Sequence, residues 1–198
     1  MAQDPAGPVY QTDFSTATRA AANAPIKGGG EVQSGFTASP YTAGSGITRM
    51  RLAPRDKEHP AYSPESWGGL AFISEGAGTN QMPTLEDAVA GDAYIEFTLQ
   101  SSEPVDFTRI EFSMVGVGSM QSGGVTVRSS VDDFTADLGT VTGPLNMDYP
   151  VVVDLLGLAG FAGRREVTLR FYLYDSFEGQ NNRLIGIDDV RIWAEPAH

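Results

Sequence analysis

The sequence predicts an all-β protein, a single antiparallel β-sandwich of about ten strands with little helix. Three observations predict it. Several short segments alternate apolar and polar residues, the period of a strand with one buried face. Turn-forming residues separate these segments, with 23 Gly and 12 Pro among 198 residues. Helical patterns are confined to two short stretches, 85–89 and 154–161.

The chain divides into three parts on this interpretation. Residues 1–9 form a leader punctuated by Pro and Gly, residues 10–194 form the sandwich, and residues 195–198 form a short C-terminal tail. The length is typical of one domain. No internal repeat is visible.

The first half of the chain has weak strand signals. Residues 10–14 are expected to be the first strand. Residues 27–91 are rich in Gly, Pro, Ser, Thr and Ala. An unstructured loop of that length is unusual in a compact domain, so we expect short strands near 31–37, 47–52 and 69–73.

The second half alternates clearly. Apolar residues occupy every second position in segments 94–100, 110–114, 125–129 and 167–174. In the fourth of these segments, Val167, Leu169, Phe171 and Leu173 are predicted to face the core, and Thr168, Arg170, Tyr172 and Tyr174 to face away from it.

The last strand, expected over 184–193, changes phase. Ile185 and Ile187 in its first part share one face, and Val190 and Ile192 in its second part fall on the opposite face. One strand buries both pairs only if its register slips between them, so we predict a β-bulge or bend at Asp188-Asp189.

Two adjacent acids at a bend suit a hard cation such as calcium, which takes oxygen ligands from carboxylates and backbone carbonyls. The alternative is local: Asp188 and Asp189 accept hydrogen bonds from nearby backbone N–H groups or pair with Arg183. The residues alone leave both interpretations open.

The closing segment 187–192 (Ile-Asp-Asp-Val-Arg-Ile), together with Asp13-Phe14 in the opening strand, resembles the galactose-binding-like jelly rolls. This group includes several carbohydrate-binding module families and the meprin-type adhesion domains. The resemblance implies a jelly-roll sandwich. It also implies a structural calcium ion that joins the opening strand to the closing one, through Asp188 with Asp13, Glu31 or Asp189.

A second resemblance rests on four segments in order, 94–99, 128–134, 169–175 and 187–190. The series is similar to a jelly-roll domain of bacterial exported proteins that carry a PEP-CTERM sorting tail. It implies the same fold and a location outside the cell. The sequence departs from that pattern at its end, Ala194-Glu195-Pro196-Ala197-His198, which does not resemble the sorting tail, so the resemblance does not extend to an expectation of surface sorting.

Charge and composition exclude several classes of function. Lys and Arg number 13 and Asp and Glu 25, a formal charge of −12 that repels phosphate backbones and argues against nucleic-acid binding. No apolar run is long enough for membrane insertion. The chain has 0 Cys, which excludes disulfides and thiolate chemistry. It begins without a signal peptide, so we expect either a mature extracellular or cell-surface form, or a virion component made in the cytoplasm.

Enzyme signatures are mostly missing, and we predict that the protein is not an enzyme. The low-ranked exception is a glycoside hydrolase. Such enzymes need two carboxylates about 5–9.5 Å apart across a cleft. Glu96 and Glu111 lie on the polar phases of their strands and are the candidate pair.

A ligand-binding face is better supported. Tyr rings stack on sugar rings, and Arg and Glu side chains hydrogen-bond hydroxyl groups. The predicted ligand-binding residues are Glu96, Thr98, Arg128, Arg170, Tyr172 and Tyr174, with Trp67 as a candidate in a loop. The alternative is that cross-strand Tyr–Arg pairs only stabilise an exposed sheet. We expect Asp132 to fix the turn after its strand or to pair with Arg128.

These observations predict a non-catalytic extracellular module that binds carbohydrate or mediates surface adhesion, with calcium as a structural ion. A neutral polysaccharide or glycan is the expected partner. The alternative is a structural or assembly protein, such as a virion decoration or surface-layer subunit, whose partner is a protein surface.

Overall fold

The computed structural model describes residues 7–14, 16–19, 24–47, 49–52, 70–73, 82–117, 122–144, 149–175 and 184–198. These ranges contain fourteen strands and one α-helix. The strands are β1 (Tyr10–Thr12), β2 (Thr18–Arg19), β3 (Ile26–Lys27), β4 (Glu31–Val32), β5 (Phe36–Ala38), β6 (Thr42–Ala43), β7 (Arg49–Leu52), β8 (Leu70–Ile73), β9 (Tyr94–Val117), β10 (Ser122–Ser129), β11 (Gly139–Pro144), β12 (Tyr149–Asp154), β13 (Arg164–Asp175) and β14 (Leu184–Pro196); the helix α1 is Leu85–Ala90.

All strand pairs among the described residues are antiparallel. The strands form two layers, except for β2 and β3, which pair with each other in a separate two-stranded sheet. Layer 1 runs β11, β10, β13 and residues 94–103 of β9, with β5 and β6 on the other side of β9. Layer 2 runs β12, residues 105–117 of β9 and β14. Beyond β14 lie β1 with β4, and β8 with β7. The predicted all-β antiparallel sandwich of jelly-roll type is confirmed.

The core lies between the two layers. Phe112 from layer 2 meets Phe171 from layer 1 with ring centroids 5.1 Å apart. The ring centroids of Tyr10 in layer 2 and Phe97 in layer 1 lie 5.3 Å apart. The predicted core positions of β13 are buried, from Val167 to Leu173. These ring contacts place the two sheets face to face.

A second, smaller apolar cluster lies on the outer side of layer 1. The helix α1 packs Ala88 against Tyr172, and Ala93 completes the cluster. The helix begins with a capping box, in which the Thr84 hydroxyl accepts from the Asp87 N–H and the Asp87 carboxylate accepts from the Thr84 N–H. The predicted helix at 85–89 is confirmed. Of the helices described, none is long and apolar enough to span a membrane.

The second predicted helix, at 154–161, is wrong. The strand β12 continues to Asp154, and turns follow it. Gly157 and Gly160 have φ of 79° and 92°, a conformation that L-residues adopt at a cost and that a helix does not use. The two glycines therefore build a turn between β12 and β13.

The predicted register slip in the last strand is confirmed. The pairing of β14 with β9 shifts between Asp188 and Arg191, and Asp189 has a φ of 49°. The bulge allows Ile187 and Val190 to be fully buried although they lie in opposite phases. The strand then continues to Pro196, beyond the predicted end.

Two tyrosines share a hydrogen bond inside the core. The Tyr10 and Tyr41 hydroxyl oxygens lie 2.9 Å apart, and Tyr41 is completely buried. Burial raises the pKa of Tyr10 from 10.0 to about 12, although its hydrogen bond with Tyr41 lowers it. Burial raises the pKa of Tyr41 well above its ordinary value, and the nearby Tyr10 raises it further.

We predict alkaline destabilisation that originates in this pair. The folded protein holds the phenolic protons more tightly than the unfolded chain does, so this stabilisation is complete below pH 10 and is lost as the pH rises through about 12. Urea unfolding between pH 8 and pH 12 measures it. The Tyr10→Phe/Tyr41→Phe variant should lose less stability over this range than the wild type. The control Tyr149→Phe, on the edge strand β12, should follow the wild type. An equally steep loss in the double variant would contradict the assignment.

Candidate functional site

The outer side of layer 1 brings six of the predicted ligand-binding residues together. In the strand register, Arg170 of β13 lies between Arg128 of β10 and Glu96 of β9. Thr168 of β13 lies beside Thr98 of β9. We name this surface the layer 1 face. It comprises Tyr94, Glu96 and Thr98 on β9, Arg128 on β10, Thr168, Arg170, Tyr172 and Tyr174 on β13, and Phe134 in the loop after β10.

Arg170 lies at the centre of the layer 1 face. Its Nε donates to the Glu96 carboxylate at 2.6 Å, and both side chains are about one quarter exposed (26% and 28%). Its guanidinium carbon lies 4.2 Å from the centroid of the Tyr94 ring and 3.8 Å from that of Phe134. These contacts hold the guanidinium in one place before any ligand arrives.

The charges on this surface influence one another. Burial lowers the pKa of Arg170, but its hydrogen bonds with Glu96 and Tyr172 and the charge interactions with Tyr94 and Glu96 together raise it more, so the net shift is upward. Burial raises the pKa of Tyr94, and Arg170 lowers it by a smaller amount. Arg170 therefore stays charged, and Tyr94 remains a neutral hydrogen-bond donor at physiological pH.

Phe134 reaches Arg170 because of an unusual backbone. Asp133 and Phe134 have φ of 59° and 61°, in the left-handed region that favours glycine. The Asp132 carboxylate accepts from the Ala136 N–H at 2.7 Å and thereby fixes this turn. Sequence reasoning expected Asp132 to act on the turn, but it did not find Phe134, because an isolated aromatic residue in a loop has no periodicity.

Arg128 holds the same loop from the other side. Its Nε donates to Asp137 at 2.6 Å, and its Nη1 donates to the Phe134 carbonyl at 3.1 Å. The guanidinium also lies 5.4 Å from the centroid of the Tyr172 ring. The carboxylate that pairs with Arg128 is thus that of Asp137, not that of Asp132.

Hydroxyl groups occupy one end of the layer 1 face. The Thr98 and Thr168 hydroxyl oxygens lie 2.8 Å apart. The Ser39 hydroxyl accepts from the Thr98 N–H at 2.8 Å, and the Ser130 hydroxyl accepts from the Thr168 N–H at 3.0 Å. These groups can donate to and accept from a polar ligand.

The helix α1 closes the opposite end of the layer 1 face. It buries Tyr172 to 3% exposure, so the expectation that this ring faces solvent for ligand stacking is wrong. The Tyr174 ring packs over Gly124, where an added Cβ would lie 2.3 Å from the ring. Tyr94, Tyr174 and Phe134 are half-buried and leave part of each ring accessible. Trp67, the other predicted ligand-binding residue, lies outside the described residues.

The predicted calcium residues lie around the bulge of β14. A pocket of about 390 Å³ opens there, lined by Gln11, Thr12, Asp13, Thr16, Gly29, Gly30, Glu31, Asp189 and Arg191. Within the described ranges, no three His, Cys, Asp or Glu side chains converge closely enough to hold a metal ion. Asp188 is buried beside the pocket and accepts from the Asp189 N–H at 2.8 Å, as the local alternative expects. Arg183 lies outside the described residues.

Glu96 and Glu111 cannot form the catalytic pair of a glycoside hydrolase. Glu96 lies on the outer side of layer 1 and pairs with Arg170. Glu111 lies on the outer side of layer 2 and pairs with Arg109 and Arg191. The core separates the two carboxylates, so no cleft lies between them.

Comparisons with known proteins give structural neighbours only. No family model matches the chain, and no curated protein matches it by sequence. A family 61 carbohydrate-binding module, TmCBM61, in complex with β-1,4-galactotriose is similar at TM-score 0.38 and 11% identity, over 82% of this chain and 90% of that one. A family 11 module from Clostridium thermocellum, in complex with a β-1,3-1,4-mixed-linked tetrasaccharide, is similar at TM-score 0.38 and 10% identity, over 85% and 94%.

A third neighbour is a different kind of protein. The secreted serine protease VesC from Vibrio cholerae is similar at TM-score 0.33 and 15% identity, over 76% of this chain but 25% of that one. Since all three TM-scores are low, the strand pairing and the core described above are the basis of the fold assignment.

We predict that Arg170 and Phe134 stabilise each other. In a double-mutant cycle of Arg170→Ala and Phe134→Ala, the coupling energy should be about 0.5–2 kcal/mol, as expected for a guanidinium packed on a partly buried ring. Urea unfolding of the four proteins measures it. A control cycle of Phe134→Ala with Arg165→Ala, whose side chain is exposed at the start of β13, should give no coupling within about 0.5 kcal/mol. Additive effects in the first cycle would show that the contact contributes nothing.

Proposed function

We propose that this protein is a non-catalytic module that binds a neutral carbohydrate on the layer 1 face. The observation that carries the proposal is the fixed position of Arg170, paired with Glu96 and packed on Tyr94 and Phe134. A guanidinium and a carboxylate held side by side present donors and acceptors to neighbouring hydroxyl groups. The accessible parts of the rings offer surfaces on which a sugar ring packs.

The charges of the layer 1 face favour a neutral ligand. Both of its arginines have a carboxylate partner, Glu96 for Arg170 and Asp137 for Arg128. The whole chain carries a formal charge of −12. An anionic polysaccharide would be repelled at long range and would find each guanidinium already neutralised.

The test is affinity electrophoresis and calorimetry with soluble neutral glucans, galactans, mannans and xylans, with polygalacturonate as the anionic comparison. At least one neutral polysaccharide should bind, and Arg170→Ala should weaken binding tenfold or more, about 1.4 kcal/mol. The matched control Arg165→Ala removes an arginine from the same strand outside the layer 1 face and should bind normally. Failure of every neutral polysaccharide to bind the wild type would contradict the proposal.

Calcium remains part of the proposal as a structural ion at the bulge of β14. Its ligands would come from Asp188, Asp189, Asp13 and Glu31, whose carboxylates would have to move closer together. The benefit would be a bridge between β1, β4 and β14, the strands that these residues occupy or adjoin.

If calcium binds there, millimolar calcium should raise the melting temperature above that in EDTA. An ion at about 100 times its Kd adds about 2.7 kcal/mol, which corresponds to about 5–10 °C for a domain of this size. Asp13→Ala should abolish the difference, whereas the control Glu86→Gln, on the exposed side of α1, should retain it. Equal melting temperatures in the two buffers would rule out the ion.

A location outside the cell and a role in surface adhesion are part of this proposal.

The second candidate function is assembly with another protein, and one observation favours it. Val152, Leu156 and Leu158 are exposed by 59%, 66% and 43% at one edge of layer 2. An exposed apolar group of this kind is typical of a contact with a partner. Sedimentation of the purified protein across a hundredfold concentration range tests self-assembly.

A further inference from the structure

The outer side of layer 2 carries a second set of aromatic and hydrogen-bonding side chains. Trp193 lies on this side of β14 and is half-buried. Its register partner on β9 is Arg109, whose guanidinium carbon lies 5.1 Å from the centroid of the indole ring. Arg109 in turn pairs with Glu111. The indole is thus held on the surface of the sheet next to an ion pair.

A row of polar groups runs across the strands beside Trp193. Glu111 on β9 faces Arg191 on β14, which faces Gln11 on β1, which faces Glu31 on β4. The Arg191 Nη1 lies 3.5 Å from the Glu111 carboxylate, and the Gln11 Nε2 donates to Glu31 at 2.6 Å. Carboxylate acceptors therefore lie at the two ends of the row, with the Arg191 and Gln11 donors between them. We name Trp193, Arg109, Glu111, Arg191 and Gln11 the layer 2 face.

This row ends in a cavity. Gln11, Glu31 and Arg191 also line the pocket of about 390 Å³ at the bulge of β14. That volume lies within the usual range for a small-molecule site. The layer 2 face therefore joins a flat region with an indole to a concave region with carboxylate, amide and guanidinium groups.

We propose that the layer 2 face is a second carbohydrate-binding surface, on the opposite side of the sandwich from the layer 1 face. A sugar ring packs on the indole of Trp193, and the hydroxyl groups of the next sugar bind Glu111 and, at the mouth of the pocket, Arg191 and Gln11. The inference that the ligand is a carbohydrate rests on the proposed function, whereas the location of the binding surface does not. Because the core separates the two faces, one protein molecule bridges two polysaccharide chains.

The chemistry of the layer 2 face favours a saccharide over an extended peptide. A peptide that joins a sheet pairs with the backbone of an edge strand. At the row of polar groups, residues 109–114 of β9 lie between β12 and β14, and residues 190–192 of β14 lie between β9 and β1, so only side chains are offered there. An indole ring beside guanidinium and amide donors and carboxylate acceptors suits a ligand that has an apolar ring surface and many hydroxyl groups.

The first experiment counts binding sites by calorimetry, with short oligosaccharides of the polysaccharide that the wild type binds. We expect two sites per protein molecule. Trp193→Ala should leave one binding site, on the layer 1 face, and adding Arg170→Ala to this variant should weaken that site. Arg170→Ala alone should leave the site on the layer 2 face unaffected. Gln11→Ala is a milder variant that keeps the indole, and it should weaken the layer 2 site at least threefold if Trp193→Ala fails to fold. The matched control Thr140→Ala, an exposed polar residue on β11, should keep both sites.

A second measurement uses the indole as a reporter. The chain has 2 Trp, so in a Trp67→Phe background the fluorescence comes from Trp193 alone. Oligosaccharide should change this emission, and Arg170→Ala should not prevent the change. The wild type should also precipitate or thicken a solution of the polysaccharide, and Trp193→Ala should not, because bridging needs both faces.

The outcomes separate the two proposals. One binding site, lost in Arg170→Ala and unchanged in Trp193→Ala and Gln11→Ala, overturns the second surface and leaves the proposed function intact. One binding site that depends on Trp193 alone supports the second surface and overturns the assignment of the layer 1 face. Absence of binding to every saccharide tested overturns both.

Discussion

One strand belongs to both layers of the sandwich, and the rest of the structure depends on this. β9 is 24 residues long; its first part pairs with β13 and its second with β12 and β14. Its inward side chains supply both walls of the core, Ile95, Phe97 and Leu99 on one side and Ile110, Phe112 and Met114 on the other. Because one continuous strand runs through both layers, the stacking of the layers cannot change without moving this core. The chain passes between the layers near Pro104, which has no N–H to give to a ladder.

The same strand decides what the two outer surfaces present. Glu96 and Glu111 leave β9 on opposite sides of the molecule. Glu96 pairs with Arg170 of β13, and Glu111 pairs with Arg109 of β9 itself and with Arg191 of β14. Each surface thus combines ion pairs with aromatic rings, Tyr94 and Phe134 on one and Trp193 on the other. These pairs are partly exposed and add little stability individually. Their consequence is geometric, since a guanidinium packed on a ring has few positions available.

Two sites of unusual backbone act in different ways. The bulge at Asp189 changes the phase of β14, so that apolar residues on both sides of it reach the core. The left-handed residues Asp133 and Phe134 instead bring a loop over a sheet surface. Neither conformation is favourable for a residue with a side chain. In the first case burial of Ile187 and Val190 offsets the cost; in the second, contacts of the loop with Arg128 and Arg170 do so.

The alternation of residues along the chain determined the fold class, the inward faces of β9 and β13, and the position of the bulge. These are properties of a period of two, and a change of phase is visible in the letters. The short helix α1 was also predictable from its local pattern. Alternation shows only that a side chain of a given strand points away from the protein core. It does not say which layer the strand joins, so the separation of Glu96 from Glu111 had to come from the tertiary structure. The burial of Tyr172 under α1 and the approach of Phe134 to Arg170 depend on distant segments packing onto one surface, because contacts between residues far apart in sequence leave no periodic trace.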